Sequence, residues 1–443
     1  MYNRSVFQSL SAAAISTCLF FSSGQSLATE PEGQLPLDDL RTFADVYNQI
    51  RIGYVEEVDD STLLEYAIQG MLMGLDPHSA YMSKSAFSDL QDSTSGEFSG
   101  LGLEVGMEGG LITVISPIDG SPAADADLRS GDVILKLDNA PVQGMSLREA
   151  IELMRGTKGS EIELTVGRPG TSQPFTVTLI RDTIKVASVR SRWLEPGYGY
   201  IRIAQFQQDT GDDVSAQLKK LQAKGELNGL VLDLRNNPGG VLGASVSVAG
   251  LFLDGGLVVY TEGRLPNSDI EFEAKPGDTL DGAPIVVLIN AGSASASEIV
   301  AGALQDRGRA VVMGADSFGK GSVQTILPLS ESRAVKLTTA RYFTPDGRSI
   351  QAEGIVPDIL VERAQVTAYN RSGRVTESDL SGHLGADNDS SESRKNRESS
   401  ARVSSELLAS DNQLYEALTL LKGVNILSMR ERKTREQPAT AVQ

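Results

Sequence analysis

The sequence predicts an α/β fold for the central part of the chain, residues 183–364. Two apolar runs in this part, Gly229–Leu234 and Pro284–Ile289, have the composition of fully buried strands. Each is followed by a segment with helical patterning, Val241–Phe252 and Ser295–Asp306. Strands that are buried on both faces and alternate with helices are typical of a sheet covered by helices. This central part is therefore the predicted structural core.

The preceding residues, 29–95, are predicted to be helical. Apolar residues recur at spacings of three and four between residues 37 and 75, and Asp76–Ser79 then ends the pattern. The pattern has two interpretations: a helix pair that faces the core, or a first helix that serves as a dimer arm. The sequence alone does not decide between them.

Residues 96–182 are rich in glycine, and short alternating apolar runs predict a small β-rich domain. The run Ser121–Ala124, followed by Leu128–Asp132, resembles the sequence pattern of PDZ domains, with Asp127 where that pattern usually has glycine. PDZ domains bind a free C-terminus by adding the peptide to a sheet edge. The resemblance therefore implies that the loop Ser99–Leu103 receives the tail carboxylate on its backbone amides, where Gly102 allows close approach, and that Leu101 and Leu103 line an apolar pocket for the last side chain. The alternative is an ordinary strand edge without a ligand.

The C-terminal part, residues 365–443, has a different composition. Residues 371–402 are rich in Ser, Asp, Glu, Arg and Gly and have almost no large apolar side chains, which predicts a disordered linker. Leu407–Leu421 then has helical spacing. This helix can be an assembly contact or can pack back on the core, and the sequence leaves both open.

The first 28 residues have the features of an export signal. Arg4 is followed by an apolar run from about Val6 to Phe21, and Ser26-Leu27-Ala28 is the expected cleavage site. The predicted location is the periplasm or another exported compartment, with an uncleaved anchor in the inner membrane as the alternative. Cys18 is the only cysteine and lies in this segment, so the mature chain is expected to have no disulfide.

The composition argues against some classes of binding partner and cofactor. The formal net charge of -18 argues against a nucleic-acid partner, because phosphate binding requires basic patches. The sequence has no cluster of His, Cys and carboxylate residues at ligand spacing, so neither a metal nor another cofactor is expected.

The main chemical signal is a serine-rich run, Ser293–Ser297, followed by Lys320. A serine hydroxyl needs a base to act as a nucleophile. The chain has two histidines, so a Ser-His-Asp triad has little support, whereas a lysine with a lowered pKa can serve. Phe318 and the flanking glycines are expected to bury the lysine. On these residues alone, the rival nucleophiles are Ser293, Ser295 and Ser297.

The segments Ser293–Ile299 and Phe318–Gln324 resemble the catalytic signatures of the C-terminal processing peptidases, also called tail-specific proteases. The resemblance covers roughly residues 35–365. It implies that Ser295 is the nucleophile, that Lys320 is the base and that Gln324 supports the lysine. It also implies a core similar to ClpP and crotonase, with a PDZ domain inserted between N-terminal helices and a C-terminal helical tail.

An oxyanion hole is expected beside Ser295. The Ala296 amide, at the start of the predicted helix, can supply one donor to the developing charge. The second is expected from the turn Asn236–Gly240, where the family uses a glycine amide. Gly239 is the favoured residue, and Gly240 is the alternative.

Three other functions are compatible with parts of the sequence. Residues 314–321 nearly match a phosphate-binding P-loop but end in glycine where that motif has Ser or Thr. Residues 317–320 match the S-x-x-K of penicillin-binding enzymes, although adjacent glycines oppose the helical turn that this motif needs. The third is an exported PDZ scaffold with an inactive core, which would bind tails without cleaving them.

The sequence as a whole favours an exported serine endopeptidase with a Ser-Lys dyad. Its predicted partners are substrate proteins with apolar C-terminal tails, which the PDZ domain would capture. A homo-oligomer, a dimer or higher, is also expected, because the first and last helices are both candidates for assembly. The resemblance allows for an adaptor protein and implies that the PDZ domain controls access to the active site.

Overall fold

The computed structural model describes residues 35–266, 268–366, 377, 380–382 and 407–436, with side chains of the last helix up to residue 427. The predicted export signal, including Cys18, the predicted linker at 371–402 apart from residues 377 and 380–382, and His383 lie outside the described residues. The chain divides into two compact units, Met1–Ile68 and Gln69–Gln443, which are considered separately.

The first unit contains helix α1 (Leu37–Gly53) and the start of helix α2 (Asp60–Met73). No residue of α1 is buried. The apolar side chains that predicted the helix are exposed: Leu40, Phe43, Val46 and Ile50. Both interpretations of this helix, the core-facing pair and the dimer arm, stay predictions.

The second unit begins with β1 (Ala80–Met82), α3 (Lys84–Ser95) and β2 (Glu97–Gly100), which lead into a six-stranded antiparallel sheet. The elements of that β-rich domain are β3 (Leu103–Glu108), β4 (Leu111–Pro117), α4 (Pro122–Asp125), β5 (Val133–Leu137), β6 (Ala140–Pro141), α5 (Leu147–Met154), β7 (Glu161–Gly167) and β8 (Phe175–Ile180). The strand order is β3-β4-β5-β7-β8, with β6 paired to β5. Strand β9 (Asp182–Lys185) then pairs with β2.

Asp127 adopts the backbone conformation that glycine would favour at its turn. Its φ is 57°, in the left-handed region that aspartate tolerates better than most residues. Arg129 donates to both carboxylate oxygens of Asp127, at 3.1 and 2.6 Å. The turn that precedes β5 is therefore retained despite the missing glycine.

The remaining elements form the core and its second sheet. In chain order they are β10 (Val189–Glu195), β11 (Tyr198–Ile203), α6 (Thr210–Gln222), β12 (Gly229–Asp233), α7 (Leu242–Gly250), β13 (Gly256–Gly263), β14 (Ile270–Ala274), β15 (Ile285–Ile289), α8 (Ala296–Asp306), β16 (Ala310–Gly314), β17 (Ser322–Ser330), β18 (Arg333–Phe343), β19 (Ile359–Leu360) and α9 (Asn412–Glu436). The predicted α/β class is confirmed.

The core sheet has the order β10-β11-β12-β15-β16-β19. Strands β11 to β19 are parallel, and β10 is antiparallel at the edge. Every residue of β12 and β15 is buried, as their apolar sequences predict. Because these strands are adjacent and parallel, the loops after them meet at one edge of the sheet, where α/β proteins usually bind ligands.

A second, antiparallel sheet contains β1, β18, β13 and β14 in that order, and β17 pairs with β18. Strand β17 begins two residues after Lys320. This sheet therefore presents the residues that follow the candidate lysine.

Helix α9 packs back on the core. Leu414, Leu418 and Leu421 share one apolar cluster with Val231 and Leu288 of the central sheet. Of the two interpretations of the C-terminal helix, packing on its own core is observed for the described part. In the portion of the chain that the structure covers, no helix is long and apolar enough to span a membrane.

Candidate active site

Ser295 lies at the tight turn between β15 and α8. Its φ is 55° and its ψ is -113°, a conformation that is strained for a residue with a side chain. Such strain costs about 1–3 kcal/mol and persists only where surrounding bonds enforce it. A sharp, strained strand-to-helix turn is a known way to expose a nucleophilic hydroxyl.

The two rival serines have structural roles. The Ser293 hydroxyl donates to the Leu234 carbonyl at 2.8 Å, and the Ser297 hydroxyl donates to the Asn237 carbonyl at 2.9 Å. Both residues are fully buried. Ser295 is the serine of this run that lines a cavity, so the geometry separates it from its neighbours on grounds that the sequence did not provide.

The cavity has a volume of about 340 Å³ and contains most of the predicted catalytic residues. Ser295, Ala296, Lys320 and Gln324 all line it. Gly240 also lines it, together with Lys336, Tyr342 and three residues of α3, which are Leu90, Ser93 and Thr94. Among the described residues that line this cavity, two are lysines and none is a carboxylate.

Lys320 is half-buried, and burial lowers its pKa from the usual value. The nearby charge of Lys336 lowers the pKa further, whereas Glu298 opposes the shift. The expectation that Phe318 buries the lysine is wrong, because its side chain is 63% exposed. A lysine with a lowered pKa can act as a base.

Glu298 joins the nucleophile turn to the lysine loop. One of its oxygens accepts from the Ser295 amide at 2.6 Å and the Lys320 amide at 2.9 Å. The other accepts from the Gly319 amide and the Ser317 hydroxyl, both at 2.6 Å. The side chain is fully buried. The motif contained this glutamate, but no role was predicted for it; its position three residues after a helix-capping serine was the available signal.

Gln324 donates to the Ser322 hydroxyl at 3.0 Å and to the Thr338 hydroxyl at 3.4 Å. Thr338 in turn donates to Asp76 at 3.1 Å. The turn Asp76–Ser79 thus supports the strand behind Gln324. Direct support of Lys320 by Gln324 stays a prediction.

His78 belongs to the same turn. Burial lowers its pKa, and the charge of Lys320 lowers it further. The imidazole is therefore held neutral near the candidate base.

The oxyanion donors differ in their availability. The Ala296 amide belongs to the first residue of α8, so no carbonyl of the helix can accept from it. The Gly239 amide donates to the Asn237 side chain at 2.9 Å, whereas Gly240 lines the cavity. A Cβ on Gly239 would lie 2.8 Å from that of Ser295, so the turn approaches the serine closely. In this conformation Gly240 faces the cavity, and the Gly239 amide must leave Asn237 before it can bind an oxyanion.

A second cavity, of about 260 Å³, lies at the predicted tail-binding loop. Leu101, Gly102 and Leu103 line it, together with Ile151 and Met154 of α5 and with Arg155. Leu101 is 2% exposed and belongs to the core of this domain, so Leu103 is the more accessible leucine.

Helix α3 contacts both regions. Arg155, beside the second cavity, forms ion pairs with Asp89 at 2.9 Å and Asp92 at 3.0 Å. Leu90, from the same helix, lines the cavity of Ser295. The two cavities are therefore linked by one short helix.

The competing motifs lack the structures that they need. Residues 315–321 are not helical, and strand β17 follows them, so neither a P-loop helix nor the helical turn of an S-x-x-K enzyme is present there. Among the described residues, no group of three or more His, Cys, Asp or Glu residues could hold a metal ion.

Comparison with known families agrees with the resemblance. Residues 197–361 match peptidase family S41, and residues 99–179 match the PDZ domain. Residues 14–86 match the N-terminal domain of the activating protease CtpB.

Individual relatives share most of the chain. A carboxy-terminal-processing protease of Bartonella bacilliformis is 48% identical over 404 residues, which cover 90% of this chain and 92% of the relative. The carboxy-terminal processing protease CtpA of Bacillus subtilis is 36% identical over 321 residues, or 71% of this chain and 67% of the relative. Among solved structures, the photosystem II D1 C-terminal processing protease is 34% identical, covers 73% of this chain and 86% of its own, and has a TM-score of 0.43. The chain belongs to the C-terminal processing proteases of peptidase family S41, which are serine-type endopeptidases with a PDZ domain.

Proposed function

We propose that this peptidase hydrolyses its substrates with a Ser295–Lys320 dyad. The observation that carries the proposal is the shared cavity: Ser295 lies on a strained turn, and Lys320, half-buried with a lowered pKa, lines the same space. Burial of the lysine favours the neutral amine that a general base requires.

The proposed reaction has two stages. The neutral Lys320 amine accepts the Ser295 proton while the serine oxygen attacks the scissile carbonyl carbon. The Ala296 amide and a glycine amide of the Asn236–Gly240 turn, from Gly239 or Gly240, bind the resulting oxyanion. The peptide C–N bond then breaks, and Lys320 returns the proton to the leaving amine. In the second stage Lys320 takes a proton from water, the hydroxide attacks the acyl ester, and the carbonyl–serine bond breaks to release the acid and restore the serine hydroxyl.

A polypeptide substrate fits the surroundings of the dyad. Strand β17 pairs with β18, and no other described strand pairs with it. Ser322, Val323, Gln324 and Ile326 of this strand line the cavity. An extended chain can add to such an edge through backbone hydrogen bonds. The scaffold alternative lacks comparable support, because it gives this cavity no use.

We infer that substrates are selected by apolar C-terminal tails bound at the loop Leu101–Leu103. The cavity at this loop combines backbone amides with apolar walls. Because α3 contacts both cavities, tail binding is expected to raise turnover and not only affinity.

The proposal also includes export of the protein, its assembly into a homo-oligomer and the use of an adaptor protein. The signal-like first 28 residues support export to the periplasm or a similar compartment, with the inner-membrane anchor as the alternative. The exposed apolar side chains of α1 support a homo-oligomer. Amino-terminal sequencing of the fractionated protein separates cleavage after Ala28 from retention of the anchor. The need for an adaptor is tested by turnover of the purified protein alone.

The test of the dyad is cleavage of an unfolded reporter with an apolar C-terminus between pH 6 and pH 10. Ser295→Ala and Lys320→Ala are expected to abolish cleavage, whereas the exposed controls Ser247→Ala and Lys220→Ala retain it. Cleavage that survives Ser295→Ala would place the nucleophile elsewhere. The same reporter with an amidated C-terminus is expected to be cleaved more slowly, and equal rates would exclude selection by the tail carboxylate.

A further inference from the structure

The start of helix α9 is fastened to the loop that follows β12. Asp411, immediately before the helix, accepts from the Arg235 guanidinium at 2.9 and 2.7 Å. Gln413 accepts from the same guanidinium at 3.0 Å. The Asn412 side chain bonds the backbone of residues 362 and 364, at 2.9 and 3.0 Å. Arg235 and Asp411 are 176 residues apart in the chain, so the contact is a tertiary one.

Arg235 is held between two carboxylates. It donates to Asp233 at 3.0 and 2.7 Å, and Asp233 is fully buried. Asp411 is the second carboxylate; burial alone would raise its pKa, but the bonds and charge of Arg235 lower it below the usual value. Asp411 is therefore ionised at neutral pH. Removing one partner of a buried charge network leaves the remaining charge partly unpaired. Loss of the Asp411 carboxylate would leave the Arg235 guanidinium without its two bonds to that residue.

The contacts continue from Arg235 to the nucleophile turn. The next residue, Asn236, has a left-handed φ of 56°. Its amide donates to the Asn290 side chain at 2.9 Å, and the Asn290 side chain donates back to the Asn236 side chain at 2.9 Å. The Asn237 carbonyl accepts from the Ala294 amide at 3.0 Å. These hydrogen bonds form a continuous path from the residue after Arg235 to the loop that contains Ser295.

We propose that Asp411 is a positioning residue of the catalytic site, which acts through Arg235 to hold the Asn236–Gly240 turn at its distance from Ser295. This inference rests on the proposed function, in which Ser295 attacks and the turn binds the oxyanion. Asp411 touches neither the substrate nor the reacting atoms. Helix α9 therefore supports the active site in addition to covering the sheet.

The test compares full-length Asp411→Asn and Asp411→Gly with wild type. Both variants are expected to lose kcat by roughly 10- to 100-fold, because small misplacements of catalytic groups have effects of this size. The KM and the affinity for a C-terminal tail peptide are expected to stay unchanged, since neither cavity wall is altered. Formate, which replaces the missing carboxylate, should restore part of the kcat of Asp411→Gly. Glu416→Gln, an exposed charge removal on the same helix, should retain wild-type kcat without a response to formate.

Other outcomes overturn the inference. Wild-type kcat in Asp411→Asn contradicts it directly. A loss that matches only the unfolded fraction in thermal melts, with no formate response, assigns Asp411 to stability alone. Ser295→Ala separates this inference from the proposed function. Activity of Ser295→Ala contradicts the proposed function, whereas an inactive Ser295→Ala beside fully active Asp411 variants contradicts only the positioning role.

Discussion

The catalytic cavity and the tail-binding cavity are built differently. Around Ser295, a buried carboxylate, Glu298, joins two loops through four short hydrogen bonds, and the backbone is strained. Around Leu103, the walls are mostly apolar, although Glu104 and Arg155 also line the cavity, and the ion pairs of Arg155 are partly exposed. Exposed pairs contribute little to stability, whereas buried networks resist displacement. The first region is suited to fixed geometry, and the second to tails of varied sequence.

The comparison predicts its largest effect at Glu298. In Glu298→Gln, one of the two carboxylate oxygens becomes an NH₂ group that faces two N–H or O–H donors. Leaving these donors unpaired in a buried site is expected to cost roughly 3 kcal/mol of unfolding free energy. The loops of Ser295 and Lys320 would also no longer be held at a fixed distance from each other, so kcat should fall by about 100-fold or more. Denaturant titration and steady-state kinetics measure the two effects.

The exposed Glu331→Gln is the matched control and should change neither quantity. The pH profile gives a second check, because Glu298 raises the Lys320 pKa. The residual activity of Glu298→Gln should therefore rise with pH at a lower pH than that of wild type. Near-wild-type kcat in Glu298→Gln would contradict the interpretation that the catalytic cavity is held more rigidly than the tail-binding cavity.

An intermediate effect is expected at Lys336, which tests the electrostatic contribution to the catalytic cavity. Its positive charge lowers the Lys320 pKa from across the cavity. In Lys336→Gln the Lys320 pKa should rise, so more of the lysine is protonated near pH 7.5. We expect a severalfold loss of kcat/KM at neutral pH. The rise of kcat/KM with pH should move to higher pH, and the plateau above that rise should be unchanged. The exposed Lys220→Gln should have the wild-type pH profile. If the profile of Lys336→Gln also matched wild type, Lys336 would not affect the pKa of Lys320.

Sequence patterns predicted the parts of the site that follow from local rules. The buried strands β12 and β15 were evident from composition, and their parallel pairing brings Ser295 and the Asn236–Gly240 turn together. The motif contained Glu298, but its four partners come from two loops. The tertiary contact between Asp411 and Arg235 has no local signature, because it joins residues 176 positions apart.

One expectation failed for the same reason. Phe318 was expected to bury Lys320 because the two are close in sequence, yet its side chain points to solvent. The cavity that Lys320 lines is built in part by residues of α3, β17 and β18. Burial depends on these long-range neighbours, which hydrophobic periodicity and motif spacing do not identify.

The smallest effect is expected in the tail-binding cavity, where Leu103→Ser should act on affinity alone. Leu103 is partly buried at the edge of the domain core, whereas Leu101 is fully buried in it, so a polar residue at Leu103 tests binding with the smaller effect on folding. Loss of an apolar contact of this size should raise the KM for a tailed reporter by roughly tenfold. The kcat at saturation should change little, and Leu111→Ser, at an exposed leucine outside the cavity, should leave both constants unchanged. An unchanged KM in Leu103→Ser would move tail docking to another surface; a kcat loss as large as that of Glu298→Gln would mean that the two regions share one rigid framework.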